Sequence, residues 1–257
     1  MKNIVREKML KGERTLGTFF ELGSATAAEC LGFTGLDYII IDTEHGPFEP
    51  LSALDYIRAA KLYNITPFAR VHEIARTSIL KLLDVGAMGI IIPQVNTVAD
   101  AEKIACYGKY APLGCRGVAN TAGSGFWFED YATHGLEEYF EISNRETMLL
   151  PQCETLGCLE KLEEIVRVPG IDGIFVGPFD LSTAMGIPGK FDLPEFRDAL
   201  RHVQAVCREA GKPSIYYAAT QEKARDGFQM GFTSVTYGMD ATELTNAFRA
   251  ARKNILG

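Results

Sequence analysis

Several common signatures are missing from this sequence, and each absence excludes something. No stretch approaches about 18 uninterrupted apolar residues, so no helical membrane span is expected. Lys and Arg number 26 against 33 Asp and Glu, a formal net charge of −7, and the basic residues are scattered. That argues against a nucleic-acid partner, which usually leaves a basic patch. No Gly-x-Gly-x-x-Gly follows the first predicted strand and no P-loop occurs, which removes the two commonest open-sheet nucleotide sites. The six cysteines, Cys30, Cys106, Cys115, Cys153, Cys158 and Cys207, include no Cys-x-x-Cys pair and no framework spacing. Free thiols in a reducing compartment are expected. Met1 to Arg14 is rich in Lys, Arg and Glu and lacks the apolar core of a secretory signal, so the expected location is the cytoplasm. No Pro/Gly/Ser-rich linker breaks the chain, and residues 1–257 read as one domain.

What is present is an alternation. Strands are predicted at Thr15–Leu22, Tyr38–Thr43, Pro67–Val71, Gly89–Gln94, Met148–Glu154, Gly173–Val176, Ser214–Ala218 and Ser234–Tyr237. Between them lie amphipathic segments at Leu51–Leu62, Ser78–Val85, Val98–Tyr110, Leu159–Val166, Leu193–Glu209 and Gln221–Met230. Runs such as Tyr38-Ile39-Ile40-Ile41 and Ile90-Ile91-Ile92 are apolar on both faces, as strands of a covered parallel sheet are. Eight such strands in a chain of this length predict an α/β fold, a (β/α)8 barrel; a doubly wound open sheet is the rival. Two pieces depart from the beat. Met1–Glu13 predicts an extra N-terminal helix, and the fourth connection, Ala111 to Asn144, is long enough to be functional or to pack on a partner. Its Phe126-Trp127-Phe128 reads as a subunit contact or a local mini-core.

Charge gathers where the apolar runs stop. Glu154 and Asp180 lie 26 residues apart, one β-α-β unit, each at or just after a strand end. Carboxylates on neighbouring rims, with strands roughly 4.8 Å apart, can share a hard divalent cation. Asp180 could equally cap the helix that follows. Asp42, Glu44 and His45 follow the second strand, and a histidine beside carboxylates can move protons near neutral pH. A structural, hydrogen-bonding histidine is the plainer alternative. Arg70 ends the third strand and could bind a carboxylate or an oxyanion, or simply pair with a neighbouring acid. Gly177-Pro178 opens a connection whose backbone N–H groups could receive an anion, or that is an ordinary turn. His72 is a second rim candidate, whereas His134 and His202 read as surface residues. Cys153 should point away from Glu154 because a strand alternates sides.

Four blocks carry a resemblance. They are Asp42-Thr43-Glu44-His45, Pro112-Leu113-Gly114-Cys115-Arg116-Gly117-Val118, Gln152-Cys153-Glu154-Thr155, and Val168 through Gly177-Pro178-Phe179-Asp180-Leu181-Ser182. In order and spacing the sequence resembles the metal-dependent pyruvate aldolases of the HpcH/HpaI family over nearly its whole length. The resemblance implies a barrel of the phosphoenolpyruvate/pyruvate superfamily, with Glu154 and Asp180 holding Mg²⁺, Mn²⁺ or Co²⁺. It implies Gln152 beside the metal, with Gly177, Pro178 and Glu44 at the substrate, and Arg70 stabilising an enolate. His45, with Asp42 as its partner, would be the base. A 4-hydroxy-2-oxo acid would be cleaved to pyruvate and an aldehyde through an enolate held at the metal. Hexamers, as trimers of dimers, would be the assembly.

The sequence departs from the family in two places. Phe179 stands where alanine is frequent, and Ala119 to Gly125 lacks the arginine that relatives often carry, which disfavours a distal carboxylate on the substrate. Tyr216 and Tyr217 could line that end. Two other readings stay open: a lyase acting on a CoA thioester, like the citrate-lyase β chain, and a non-catalytic barrel that binds a 2-oxo acid.

Overall fold

A computed structural model describes residues 1–257. Helix α1 (Ile4–Leu10) precedes β1 (Thr15–Phe20), α2 (Ala25–Gly32), β2 (Tyr38–Asp42), α3 (Pro50–Leu62), β3 (Thr66–Arg70), α4 (Arg76–Asp84), β4 (Gly89–Ile92) and α5 (Val98–Gly108). After a long connection come α6 (Leu136–Glu146), β5 (Met148–Cys153), α7 (Leu156–Glu160), α8 (Leu162–Arg167), β6 (Ile174–Val176), α9 (Pro178–Ala184) and α10 (Pro194–Glu209). The chain ends with β7 (Ser214–Ala218), α11 (Gln221–Met230), β8 (Ser234–Met239) and α12 (Asp240–Leu256). The eight strands are all parallel, and β1 pairs with β8 to close the barrel.

Alternation along the strands builds two cores. Ile39, Ile41, Ala69, Ile90 and Ile92 face the helices. Tyr38, Ile40, Phe68, Ile91 and Phe175 fill the barrel, and Val5 and Met9 of α1 join them as a plug. Gly17 is required inside: a Cβ there would lie 2.3 Å from the Tyr38 ring. That ring stacks on Phe68 at 5.1 Å and places its hydroxyl on Ser234 and Thr236 of the closing strand.

The expected strands are present, but several stop one or two residues earlier than the apolar runs. β1 ends at Phe20, not Leu22, and β4 at Ile92, not Gln94. At β3 and β5 burial outlasts the ladder, since Val71 and Glu154 stay buried just past the last paired residue, whereas Leu22 and Gln94 have already turned to solvent. The helix expected at Leu159–Val166 is two short helices broken at Lys161. The fourth connection is not bare loop. It holds 3₁₀ turns at Ala122–Trp127 and Asp130–Ala132 and then α6. Its mini-core is built from Tyr110, Ala132 and Tyr139, with Phe140 stacked on Tyr110 at 4.5 Å. Phe126 and Phe128 lie outside it, exposed.

One cysteine expectation is corrected. Cys106 and Cys115 form a disulfide, with Cα atoms 4.9 Å apart. The Pro112–Cys115 turn folds back onto the last turn of α5, where the Cys115 N–H donates to the Cys106 carbonyl at 2.7 Å. A nine-residue separation says nothing about this return of the chain. Cys30, Cys153, Cys158 and Cys207 are free thiols.

Candidate active site

The C-terminal ends of the strands surround a cleft of about 230 Å³. His45, Arg70, Gln152 and Asp180 supply its polar side, and Phe19, Phe175, Phe179 and Tyr217 its aromatic side.

The first half of the polar side is a closed ion-pair network. Asp42 and Arg70 end β2 and β3 directly opposite each other in register. Arg70 Nε donates to Asp42 Oδ1 at 2.9 Å and Nη2 donates to Oδ2, a two-pronged pairing. The guanidinium lies over the Phe19 ring at 4.7 Å, and its Nη1 is 3.2 Å from Glu44 Oε2. Burial pushes the Asp42 carboxyl up, but hydrogen bonds and charge from Arg70 outweigh it and hold Asp42 below the usual range. Glu44 moves the other way, raised by burial and only partly countered by Arg70.

This network corrects the expected Asp42–His45 pairing. The Asp42 carboxylate is taken by Arg70, and only the backbone N–H of His45 approaches it, at 3.4 Å. The His45 ring is 71% exposed at the cleft, 3.9 Å from Glu44. A buried guanidinium and a buried carboxylate each need the other, whereas an imidazole can face water at little cost.

The second half is open. Glu154, just past β5, is buried; its Oε1 accepts from the backbone N–H of Gln94 at 2.7 Å and from the Gln94 side chain at 3.1 Å. Gln152 donates its amide to the other oxygen, which leaves the buried Gln152 Oε1 with no partner. Burial, and then the charge of Asp180, push the Glu154 carboxyl up. Asp180 is exposed in the first turn of α9 and makes no capping hydrogen bond, so the capping alternative is not realised. Gly177 lets the backbone cross this pair: a Cβ would lie 2.8 Å from Gln152 Nε2 and 2.9 Å from Glu154 Oε2. The Gly177 N–H itself is donated to the Cys153 carbonyl at 3.3 Å, and Pro178 has none. These two residues therefore shape the site without offering the expected anion-binding donors.

No group of three or more His, Cys, Asp or Glu side chains is placed to hold a metal ion. The donor set is smaller: two carboxylates on neighbouring strand ends and an amide oxygen that lacks a donor. Such a set suits a hard cation that keeps positions open for a chelating ligand.

Other candidates are resolved by facing. Tyr217 enters the cleft, 5.6 Å from Phe19 and 6.1 Å from Phe179, whereas Tyr216 packs outward against Phe232. Phe179 packs edge-on against Phe191 at 5.1 Å and remains half exposed, so its ring narrows the cleft and does not pack beneath it. His72 bonds to Ser78 and does not line the cleft. Cys153 joins the outer core, away from Glu154, as alternation requires. Three residues in or beside this site carry little sequence signal: Gln94, held at φ +56° while it donates to Glu154; Phe19; and Glu21, beside Asp42. A polar residue just past an apolar strand was the available cue for Gln94 and Glu21.

Residues 15–247 match the sequence model of the HpcH/HpaI aldolase/citrate lyase family. A hydroxypyruvate/pyruvate aldolase from Sagittula stellata is 33% identical over 252 residues, covering 98% of this chain and 97% of that protein. The 4-hydroxy-2-oxo-heptane-1,7-dioate aldolase of Salmonella typhimurium is 32% identical over 251 residues, 97% of this chain and 93% of its own length. Among solved structures, an HpcH/HpaI aldolase/citrate lyase family protein from Burkholderia cenocepacia superposes with a TM-score of 0.91 at 26% identity, all of both chains covered. The HpcH/HpaI aldolase of Desulfitobacterium hafniense gives 0.89 at 25% identity, covering 97% of this chain and 95% of that one.

Proposed function

Because the chain belongs to the HpcH/HpaI aldolase/citrate lyase family, we propose that its cleft cleaves and forms 4-hydroxy-2-oxo acids, with pyruvate and an aldehyde as the other partners. It is a carbon–carbon lyase of the aldolase kind. The observation that supports the site assignment is the open half of the rim. Glu154 and Asp180 are brought together with an orphaned Gln152 oxygen, and Arg70 stands across the same cleft.

Glu154 and Asp180 would hold a divalent cation, Mg²⁺, Mn²⁺ or Co²⁺, which would polarise the 2-oxo group and stabilise enolate charge. Arg70, locked by Asp42 and paired with Glu44, lines the cleft and would share that charge. His45, exposed at the cleft, takes the C4-hydroxyl proton in the cleavage direction. The electrons of that O–H bond form the aldehyde carbonyl, the C3–C4 bond breaks, and its pair becomes the pyruvate enolate. Protonation at C3 then completes pyruvate. Glu44 lies beside both His45 and Arg70 and sets the charge each of them feels.

The aldehyde end is walled by Phe19, Phe179 and Tyr217, and Arg70 is the only arginine in the cleft. An apolar aldehyde suits this wall better than one carrying a carboxylate. We assign the enzyme to the cytoplasm, a reading supported by the four free thiols and opposed by the single Cys106–Cys115 disulfide. A homohexamer is supported by two exposed apolar groups: Phe126 and Phe128, and Leu244, Phe248, Ile255 and Leu256 along α12.

The test is deuterium incorporation into the methyl group of pyruvate in D₂O, with chelator and then with each metal added. Metal-dependent exchange is the expected result, and an aldehyde series run afterwards should favour apolar acceptors. No exchange with any metal would overturn the reading.

A further inference from the structure

One acid at the rim of the barrel has no part in this chemistry. Glu21 directly follows β1, and its backbone N–H donates to Asp240 Oδ1 at the start of α12, at 2.7 Å. Its side chain turns towards the end of β2. Oε2 lies 2.9 Å from where a Cβ on Gly46 would stand, and Oε1 is buried with no donor. There its carboxyl meets that of Asp42 within hydrogen-bonding reach. Two carboxyls in contact cannot both be ionised without strong repulsion, so they share a proton.

Which of the two keeps the proton follows from their neighbours. Asp42 receives two prongs from Arg70 and a backbone N–H from Glu44, and all of these favour its charged form. Glu21 receives no donor at all on Oε1. The charged groups facing it are Asp42 from β2, Asp240 from α12 and Arg70 from β3, two anions against one cation that Asp42 already engages. Burial, then the charge of Asp42, then that of Asp240 push the Glu21 carboxyl up to about 7, with Arg70 pulling the other way.

We propose that Glu21 is a positioning residue: its carboxyl donates a hydrogen bond to the Asp42 carboxylate and, through it, holds the guanidinium of Arg70 in its working orientation. Asp42 is then fixed from three sides, by Arg70, by the Glu44 backbone and by Glu21. Loss of the Glu21 proton replaces an attraction with a repulsion and loosens the one cation that faces the substrate. The placing of Glu21 beside Gly46 and Asp240 and its unpaired buried oxygen are independent of the reaction, whereas the consequence for rate rests on the aldolase reading.

Two variants separate the possibilities. Glu21→Gln keeps a donor and cannot ionise, whereas Glu21→Ala removes the donor. Metal-loaded wild type and both variants are compared by the pH profile of the pyruvate methyl exchange and by the infrared C=O stretch of a protonated carboxyl. In wild type we expect a protonated-carboxyl band that disappears near pH 7 and an exchange rate that declines over the same range. Glu21→Gln should lose the band and extend its rate to higher pH. Glu21→Ala should lose the band and fall about 10–100-fold at every pH, the range found when a residue orienting a site group is removed. An identical alkaline limb in wild type and Glu21→Gln would overturn the proposal, as would a wild type with no such band. Failure of the aldolase reading looks different: the wild type exchanges at no pH with any metal, while the band still decides the hydrogen bond.

Discussion

Buried charge at the two ends of the barrel is handled in opposite ways. Near the N-terminal ends of β5 and β6, Lys109 and Asp172 lie together at 2.8 Å. The ammonium also donates to the carbonyls of Asn144, at 2.7 Å, and Thr147, while Asp172 accepts the Leu149 N–H. Burial drives both groups towards neutrality, and each one's charge opposes that shift in the other. Both charges in this group are paired with each other, and only the neutral Thr147 hydroxyl is left buried without a partner. At the C-terminal end, Glu21 and Gln152 each keep a buried oxygen without a donor, and Glu44 Oε2 has only the ion pair with Arg70 at 3.2 Å. Native proteins seldom leave such atoms unpaired, and an unpaired carboxamide oxygen lining a cleft between two carboxylates marks a place completed by something else. The closed group stabilises the fold, and the open one is a site. Barrels divide their labour in this way, with chemistry at the C-terminal face.

The comparison can be broken from either side. The largest effect belongs to the open end. Asp180→Ala should abolish metal-dependent exchange while the thermal midpoint of the metal-free protein stays near that of wild type. Chelator should do the same to the wild-type enzyme. Full activity without metal would remove both carboxylates from the role given them. His45→Ala comes next, with exchange or cleavage expected to fall by roughly 10²–10⁴, the range for a positioned acid–base group. An unchanged turnover would return His45 to a surface role. The closed end should respond in stability and not in chemistry. Lys109→Met leaves Asp172 buried without its cation, and a cost of about 3–5 kcal/mol is expected in denaturant unfolding. Exchange per folded molecule should be unaffected. A normal stability with impaired exchange would reverse the assignment of the two ends.

Much of the barrel was legible because its signals are local. Ile39, Ile40 and Ile41 announce a strand buried on both faces, and Asp42, Glu154 and Asp180 announce a rim because each stands where such a run ends. Other contacts were not legible, for reasons of distance and facing. His45 stands three residues from Asp42 and looked like its partner, yet Arg70, 28 residues away, takes the carboxylate because β2 and β3 pair in that register. Tyr216 and Tyr217 are equal in sequence, and only the sheet decides which one enters the cleft. Glu21 reads as an ordinary polar residue after a strand until the closure of the barrel sets it beside Asp42.

The sequence by itself therefore determined the alternation of strands and helices, the family, and the set of polar residues carried to one rim. Each of these follows from periodicity and order along the chain, which a linear string contains in full. Tertiary structure alone decided who pairs with whom. It put Arg70 and not His45 on Asp42, joined Cys106 to Cys115, and left the Gln152 oxygen without a donor. Those outcomes depend on the register in which eight strands close, and on the competition among buried charges for the nearest counter-charge, neither of which exists before the barrel does.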